Sequence, residues 1–383
     1  KDFLKQNKTM MKIKSLLLAM VTLMAGLTFT ACSSDDDNDD KQQSNHDVYQ
    51  EAVTNAVKAQ KKHDKAILLV AFGSTWQQAY DAFDNTVKEC QKQFPDYDVF
   101  LSFSSVICIN RAAAGEIVAP RNFYAPSFWL NAFADKAVQY KEIVVQSLQV
   151  IPGEEYKNVR DSYIKNFANN FYGDLDDEYL SKVKIYLGTP LMAEREDVTA
   201  LAEALIKKTE SQAKDGVVAF MGHGNPEGYD YYGANVRYTE LEEDLQKLSK
   251  SKNYYVGTVD MPENYKTNVL ERMQKNGKKS GKVYCYPLMS IAGDHAHNDM
   301  SGDDDAWDEK EGYEVNDEGE VEDTSWKMYF KNSGYTCDDD VLKGCVIGLL
   351  EISEVRQLWL NHIKRALKDD AGLLDYYHSK NPE

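Results

Sequence analysis

Basic residues are in the minority in this 383-residue chain: 44 Lys and Arg stand against 62 Asp and Glu, a net charge of −18. Such a charge repels phosphate backbones and anionic headgroups, which excludes nucleic acid and a basic lipid-binding face. Past the N-terminus no apolar run is long enough to cross a bilayer. There is no GxGxxG, so the Gly73-Ser74 turn after the first apolar run is not a dinucleotide fingerprint. Cysteine is scarce, with no CxxC and no zinc-ligand spacing among the six. Cys90, Cys108 and Cys285 fall in helix-like or apolar segments and read as buried thiols. Cys337 and Cys345 are near neighbours in a loop-rich region, and either bridge in an oxidising compartment or stay free.

What the N-terminus does have is an export pattern. Lys12 and Lys14 precede the apolar run Leu16–Phe29, and Thr30-Ala31-Cys32 closes it with small residues and a cysteine. Residues 1–31 are expected to be a lipoprotein signal peptide, with Cys32 lipidated and anchoring the chain to a membrane. The expected location is periplasmic or outer-membrane attached. The acidic tract 33–41 can bury nothing, and residues 32–63 are expected to be a flexible tether. The tract also resembles the surface-export signal of some Gram-negative lipoproteins; a plain spacer fits it equally.

The remainder alternates near-continuous apolar runs with helical patterns. The runs Ala66–Phe72, Asp98–Phe103, Glu142–Val150 and Lys182–Leu187 read as strands in the first half. Gly216–Met221, Tyr254–Val259 and Lys282–Ile291 read as strands in the second. Strands without polar alternation belong to parallel sheets covered on both faces. The expected fold is therefore α/β: two Rossmann-like domains, residues 64–187 and 188–351, with an active-site cleft between them. An acidic insertion occupies 303–324, and residues 352–383 carry a closing helix.

Open α/β sheets bind ligands past the carboxyl ends of their strands. There the sequence places Ser74, Glu154 and Glu155, His223, Asp260, and the tract Asp294-His295-Ala296-His297-Asn298-Asp299. Of the seven histidines, His46 and His63 lie in or near the tether and His362 and His378 near the C-terminus. The other three sit at strand ends. Glycines on both sides of His223 suit a tight turn that projects its imidazole. Two imidazole-bearing loops and carboxylates on one edge suit a borderline divalent metal, and do not choose among cobalt, iron, nickel, copper and zinc.

Six segments, in order, resemble the anaerobic-pathway sirohydrochlorin cobaltochelatase family of class II chelatases. They are AILLVAFGST (66–75), VQSLQVIPGEEY (145–156), VAFMGHG (218–224), GTVDMP (257–262), PLMSIAGDHAHNDM (287–300) and SWKM (325–328). The resemblance implies a bilobal fold with the tetrapyrrole in the interdomain cleft, and a closing helix that packs back on the first domain. It implies His223 and His295 as the metal-binding histidines and Glu155 as the residue that completes the site. Asp260 stands where the family carries Glu. His297 has no fixed counterpart there. Asp260, Asp294, His297 and Ser74 are kept as residues near substrate or behind the ligands.

The activity implied is insertion of Co2+, or of Fe2+ or Ni2+, into sirohydrochlorin or a related ring. Metal insertion requires a held metal, a held macrocycle and an acceptor for two pyrrole protons. Imidazole titrates near neutrality and can accept a proton, and His223 is the first choice, with Glu155 beside it. The competing reading is an exported module that binds haem, or removes its metal, with histidine as axial ligand. Simple metal capture uses the same residues. A homo-oligomer is left open.

Overall fold

The computed structural model describes residues 45–115, 117–303, 307–308, 312–313 and 324–374. The expected signal peptide, Cys32, the acidic tract, most of the expected insertion and His378 lie outside the described residues.

Seven strands form two parallel sheets. The first has β1 (Lys65–Ala71), β2 (Asp98–Phe103), β3 (Glu142–Ser147) and β4 (Lys184–Gly188) in the order β2-β1-β3-β4. The second has β5 (Val217–Gly222), β6 (Tyr254–Thr258) and β7 (Val283–Leu288) in the order β6-β5-β7. Burial explains the unbroken apolar runs: all six residues from Ala66 to Ala71 and all six of β5 are buried. In each sheet the strand order reverses at the first strand. The crevices between β1 and β3 and between β5 and β7 are thus topological switch points, where strand-end loops part and leave room for a ligand.

The helices are α1 (Asn45–Gln60), α2 (Gln77–Gln93), α3 (Val106–Ala114), α4 (Pro126–Ala134), α5 (Glu154–Lys157), α6 (Arg195–Asp215), α7 (Val236–Ser249), α8 (Lys266–Lys275), α9 (Trp326–Asn332) and α10 (Ser353–Leu367), with shorter turns between them. α10 buries Val355, Trp359, Leu360 and Ile363, and its His362 and Arg365 both bind Asp197 in the first turn of α6, at 3.2 and 2.9 Å. The closing helix so stitches the halves together. One apolar core runs from Ile67 and Leu69 of β1 through Trp359 to Val218 and Phe220 of β5. A second core fills the other face of the first sheet.

Two expectations are corrected, and one alternative left open is decided. Residues 45–60 are not tether but α1, which buries Val53 and Val57 completely and donates from Gln50 Nε2 to the Phe128 carbonyl at 3.0 Å. The sequence pattern over 128–140 predicts a helix there, but the helix starts at Pro126, a residue suited to the first helical turn, and ends at Ala134. Cys337 does not bridge Cys345: its near neighbour is Cys285, with the sulfurs 3.9 Å apart, while the Cys345 thiol lies 3.6 Å from the Val341 carbonyl. The five cysteines among the described residues are free thiols.

Candidate active site at the strand ends

The loops after β1, β3, β5 and β7, the four strands flanking the two switch points, line one open cleft of about 250 Å3. Ser74 comes from the first loop, Gln149 and Glu155 from the second, His223 from the third, and Asp294 and His295 from the fourth. Six residues expected from sequence to be near the site are thereby placed: Ser74, Glu155, His223, Asp294 and His295 in the cleft wall, and Asp260 behind His223.

His223 leaves β5 at a turn whose next residue, Gly224, has φ +83°, a left-handed conformation that side chains resist. The turn is pinned by the buried Tyr238, whose hydroxyl accepts from the Gly224 amide at 3.2 Å, and by the Asp260 amide, which donates to the His223 carbonyl at 2.9 Å. Gly153 brings the start of α5 against this loop, since a Cβ there would fall 2.2 Å from Asn225 Oδ1. Glu155 consequently shares the cleft with His223.

The two imidazoles stand edge to face, ring centroids 5.0 Å apart. Nδ1 of each faces an oxygen: on His295 it is the Asp299 carboxylate at 2.5 Å, and on His223 it is the Gly224 carbonyl at 2.9 Å, with the Asp260 carboxylate beside it at 3.3 Å. A carboxylate or backbone carbonyl on one ring nitrogen fixes the tautomer and makes the other nitrogen the ligand, the arrangement typical of metal-binding histidine. Burial disfavours the charged form of His295. Asp299, with Asp260 and Asp294, outweighs that and holds its pKa above the ordinary histidine value. His295 opens a π-helical turn, His295–Met300, a distortion frequent at functional sites.

Among the described residues no three His, Cys, Asp or Glu side chains are close enough to cage an ion. Glu155 shares the cleft with the histidine pair but does not close a three-ligand site with it. His297 does not line the cleft. Its ring stacks on Trp76, centroids 3.8 Å apart, and burial lowers its pKa despite Asp294. Trp76 Nε1 also donates to Asp294 at 2.6 Å, so this residue of the β1–α2 loop fastens the histidine loop to the first half of the chain. Neither Trp76 nor Tyr238 stood out in the sequence. The adjacency of Trp76 to Ser74-Thr75 was the one signal available.

Comparison with known proteins accords with this geometry. A family model described as cobalt chelatase (CbiK) matches residues 65–320. The chain belongs to the CbiK cobalt chelatase family. It is 29% identical over 312 residues to the sirohydrochlorin cobaltochelatase CbiKC of Nitratidesulfovibrio vulgaris, covering 79% of this chain and 90% of that protein. It is 28% identical over 310 residues to the sirohydrochlorin cobaltochelatase of Salmonella typhimurium, covering 79% of this chain and 96% of that one. A solved structure titled SirB from Bacillus subtilis with Fe3+ matches with TM-score 0.49 and 14% identity, over 82% of this chain and 99% of that chain, a likeness too low to bear on chemistry. The chelatase thus carries its two carboxylate-backed histidines at the strand ends of an α/β fold.

Proposed function

We propose that this chelatase inserts Co2+ into sirohydrochlorin, with His223 and His295 presenting the metal to one face of the macrocycle. The observation that carries the reading is the pair of facing imidazoles, each with Nδ1 held by an oxygen and a carboxylate close by, in a cleft that the family's motifs line. A two-imidazole seat suits a metal that must be handed on. Two ligands hold an ion against water but leave coordination positions open for ring nitrogens, whereas a closed four-ligand cage is a structural site. Glu155 supplies negative charge beside the ion; as the metal passes to the ring, His223 takes one pyrrole proton on the nitrogen the ion vacates and Glu155 takes the other. The cleft's contribution is positioning, which turns an encounter between ion and ring into an intramolecular step.

The same reading takes the protein to be exported and anchored through Cys32, on the strength of the apolar run and the Thr30-Ala31-Cys32 junction. Export separates it from cytoplasmic supplies of the ring, so haem is the alternative ligand. Mixing the protein with metal-free sirohydrochlorin, with and without Co2+, and separately with haem, tests this by absorption spectroscopy. Cobalt-dependent conversion of the sirohydrochlorin spectrum is expected. A Soret shift with haem and no conversion would favour the binding module instead.

A further inference from the structure

Two thiols that metal binding does not use meet in the core of the second half. Cys285, in β7, and Cys337, in the loop after α9, are both fully buried, and their sulfurs stand 3.9 Å apart. Neither lines the cleft. The backbone on either side enforces the meeting. The Val283 amide donates to the Thr336 carbonyl at 3.0 Å, and the Thr336 amide donates to the Gly281 carbonyl at 2.9 Å, so the chain before Cys337 pairs with the start of β7. Tyr335, 5% accessible, adds a bond from its hydroxyl to the Lys278 carbonyl at 2.6 Å. Cys345 is also buried, but its thiol faces the Val341 carbonyl. A buried thiol by itself is a small apolar side chain and calls for no role. Two sulfurs in contact from positions 52 residues apart are the starting geometry of a disulfide. A bond needs about 2.05 Å between them, so they must close by roughly 2 Å, a shift that the loop position of Cys337 can supply.

We propose that Cys285 and Cys337 form a disulfide when the chain folds in an oxidising compartment. The reaction is exchange with an organic disulfide. The thiolate of one cysteine attacks a donor sulfur, forms a mixed disulfide and releases one donor thiol. The second cysteine attacks the mixed disulfide at its partner's sulfur and releases the other. Two protein thiols are oxidised, the donor disulfide is reduced to two thiols, and no further reactant is needed. The folded, reduced pair resists this chemistry. Both side chains are shut off from solvent, and burial, with Cys337 beside it, pushes the Cys285 thiol well above its ordinary range, so thiolate is scarce. The bond is therefore made while the chain folds, before β7 is covered, and afterwards the same burial shields it from reductants. It joins the ends of a segment that carries His295, Asp299 and the acidic insertion, and restricts that segment in the unfolded chain. The proposal rests on the export reading only for where the oxidant is met.

The test uses the full chain in two forms. One is reduced, unfolded in urea and refolded with glutathione disulfide or, in parallel, with a reductant. The other is isolated from the membrane fraction of the cells that make it. Each sample is alkylated with iodoacetamide in denaturant, digested and mapped by mass spectrometry. Refolding with glutathione disulfide is expected to give a linked peptide pair through Cys285 and Cys337, with Cys90, Cys108 and Cys345 alkylated. The oxidised protein should melt about 5–10 °C above the reduced form, and that difference should vanish in Cys337→Ala. If Cys337→Ala does not fold, the comparison of oxidised with reduced wild type still reads the shift. Alkylation of both Cys285 and Cys337 after oxidative refolding, or a link from Cys337 to Cys345, would overturn the pairing. A linked pair in the refolded protein with both thiols alkylated in the cellular protein would instead overturn the export reading and leave the pairing standing.

Discussion

At the scale of single residues, the two histidines depend for their orientation on what stands behind them. Asp299 on His295, and the Gly224 carbonyl with Asp260 beside it on His223, occupy Nδ1 of each imidazole, which leaves Nε2 as ligand. Replacing a carboxylate in this position typically costs 10–100-fold in metal affinity. Asp299→Ala and Asp260→Ala should therefore weaken cobalt binding about 10- to 100-fold with the fold intact, as read by isothermal titration beside circular dichroism; unchanged affinity would mean the carboxylates do not orient the rings. His297→Ala has a different expected outcome. Its ring stacks on Trp76 rather than facing the cleft, so the loss is of an aromatic pair, about 0.5–1.5 kcal/mol of stability, with cobalt affinity unchanged. Urea denaturation and titration of the one variant check both halves of that statement.

At the scale of elements, α10 and α6 meet through Asp197. Burial alone would raise its carboxyl pKa, but hydrogen bonds and charge from His362 and Arg365 outweigh burial and hold it well below the usual carboxylate range. A depressed folded-state pKa stabilises the native state fully above the unfolded value of about 3.9, and that stability is lost as pH falls from there toward the folded value. Asp197→Ala should cost about 3 kcal/mol at pH 7, because it leaves a buried imidazole and a guanidinium without their partner. The deficit relative to wild type should shrink below about pH 4, where the unfolded wild-type chain takes up a proton that folding must release. A deficit under about 1 kcal/mol at pH 7 in urea melts would show that the halves are joined by apolar packing alone.

Elements also show what the sequence carried. The strands were legible because β1 and β5 are buried on both faces, and the ligand loops because Gly-His-Gly and Asp-His-Ala-His-Asn-Asp concentrate rare side chains where strands end. α1 was not legible: only Val53 and Val57 of its sixteen residues are buried, too short a stripe to register as an amphipathic period. Tyr238 and Trp76 were not legible because their roles, pinning Gly224 and stacking on His297, exist only once distant segments meet. The pairing of His295 with Asp299 was visible as an i,i+4 spacing, whereas that of His223 with Asp260 depends on β5 and β6 lying side by side.

At the scale of the whole molecule, two parallel sheets share a core and open one cleft, and a tether outside the described residues is proposed to hold that body at a membrane. If Cys32 is the lipid anchor, Cys32→Ala should move the protein from the membrane to the soluble fraction after a salt wash, since a single side chain carries the whole attachment. Continued sedimentation with membranes would contradict the anchor. The central claim is that His223 and His295 together hand cobalt to the ring. It is tested most directly by following cobalt insertion into sirohydrochlorin spectroscopically for wild type and for His223→Ala/His295→Ala. The strand-end loops contribute little to the core, so the double variant should fold as wild type by circular dichroism and insert no cobalt above the uncatalysed rate. A folded double variant that inserts cobalt at the wild-type rate would contradict the account.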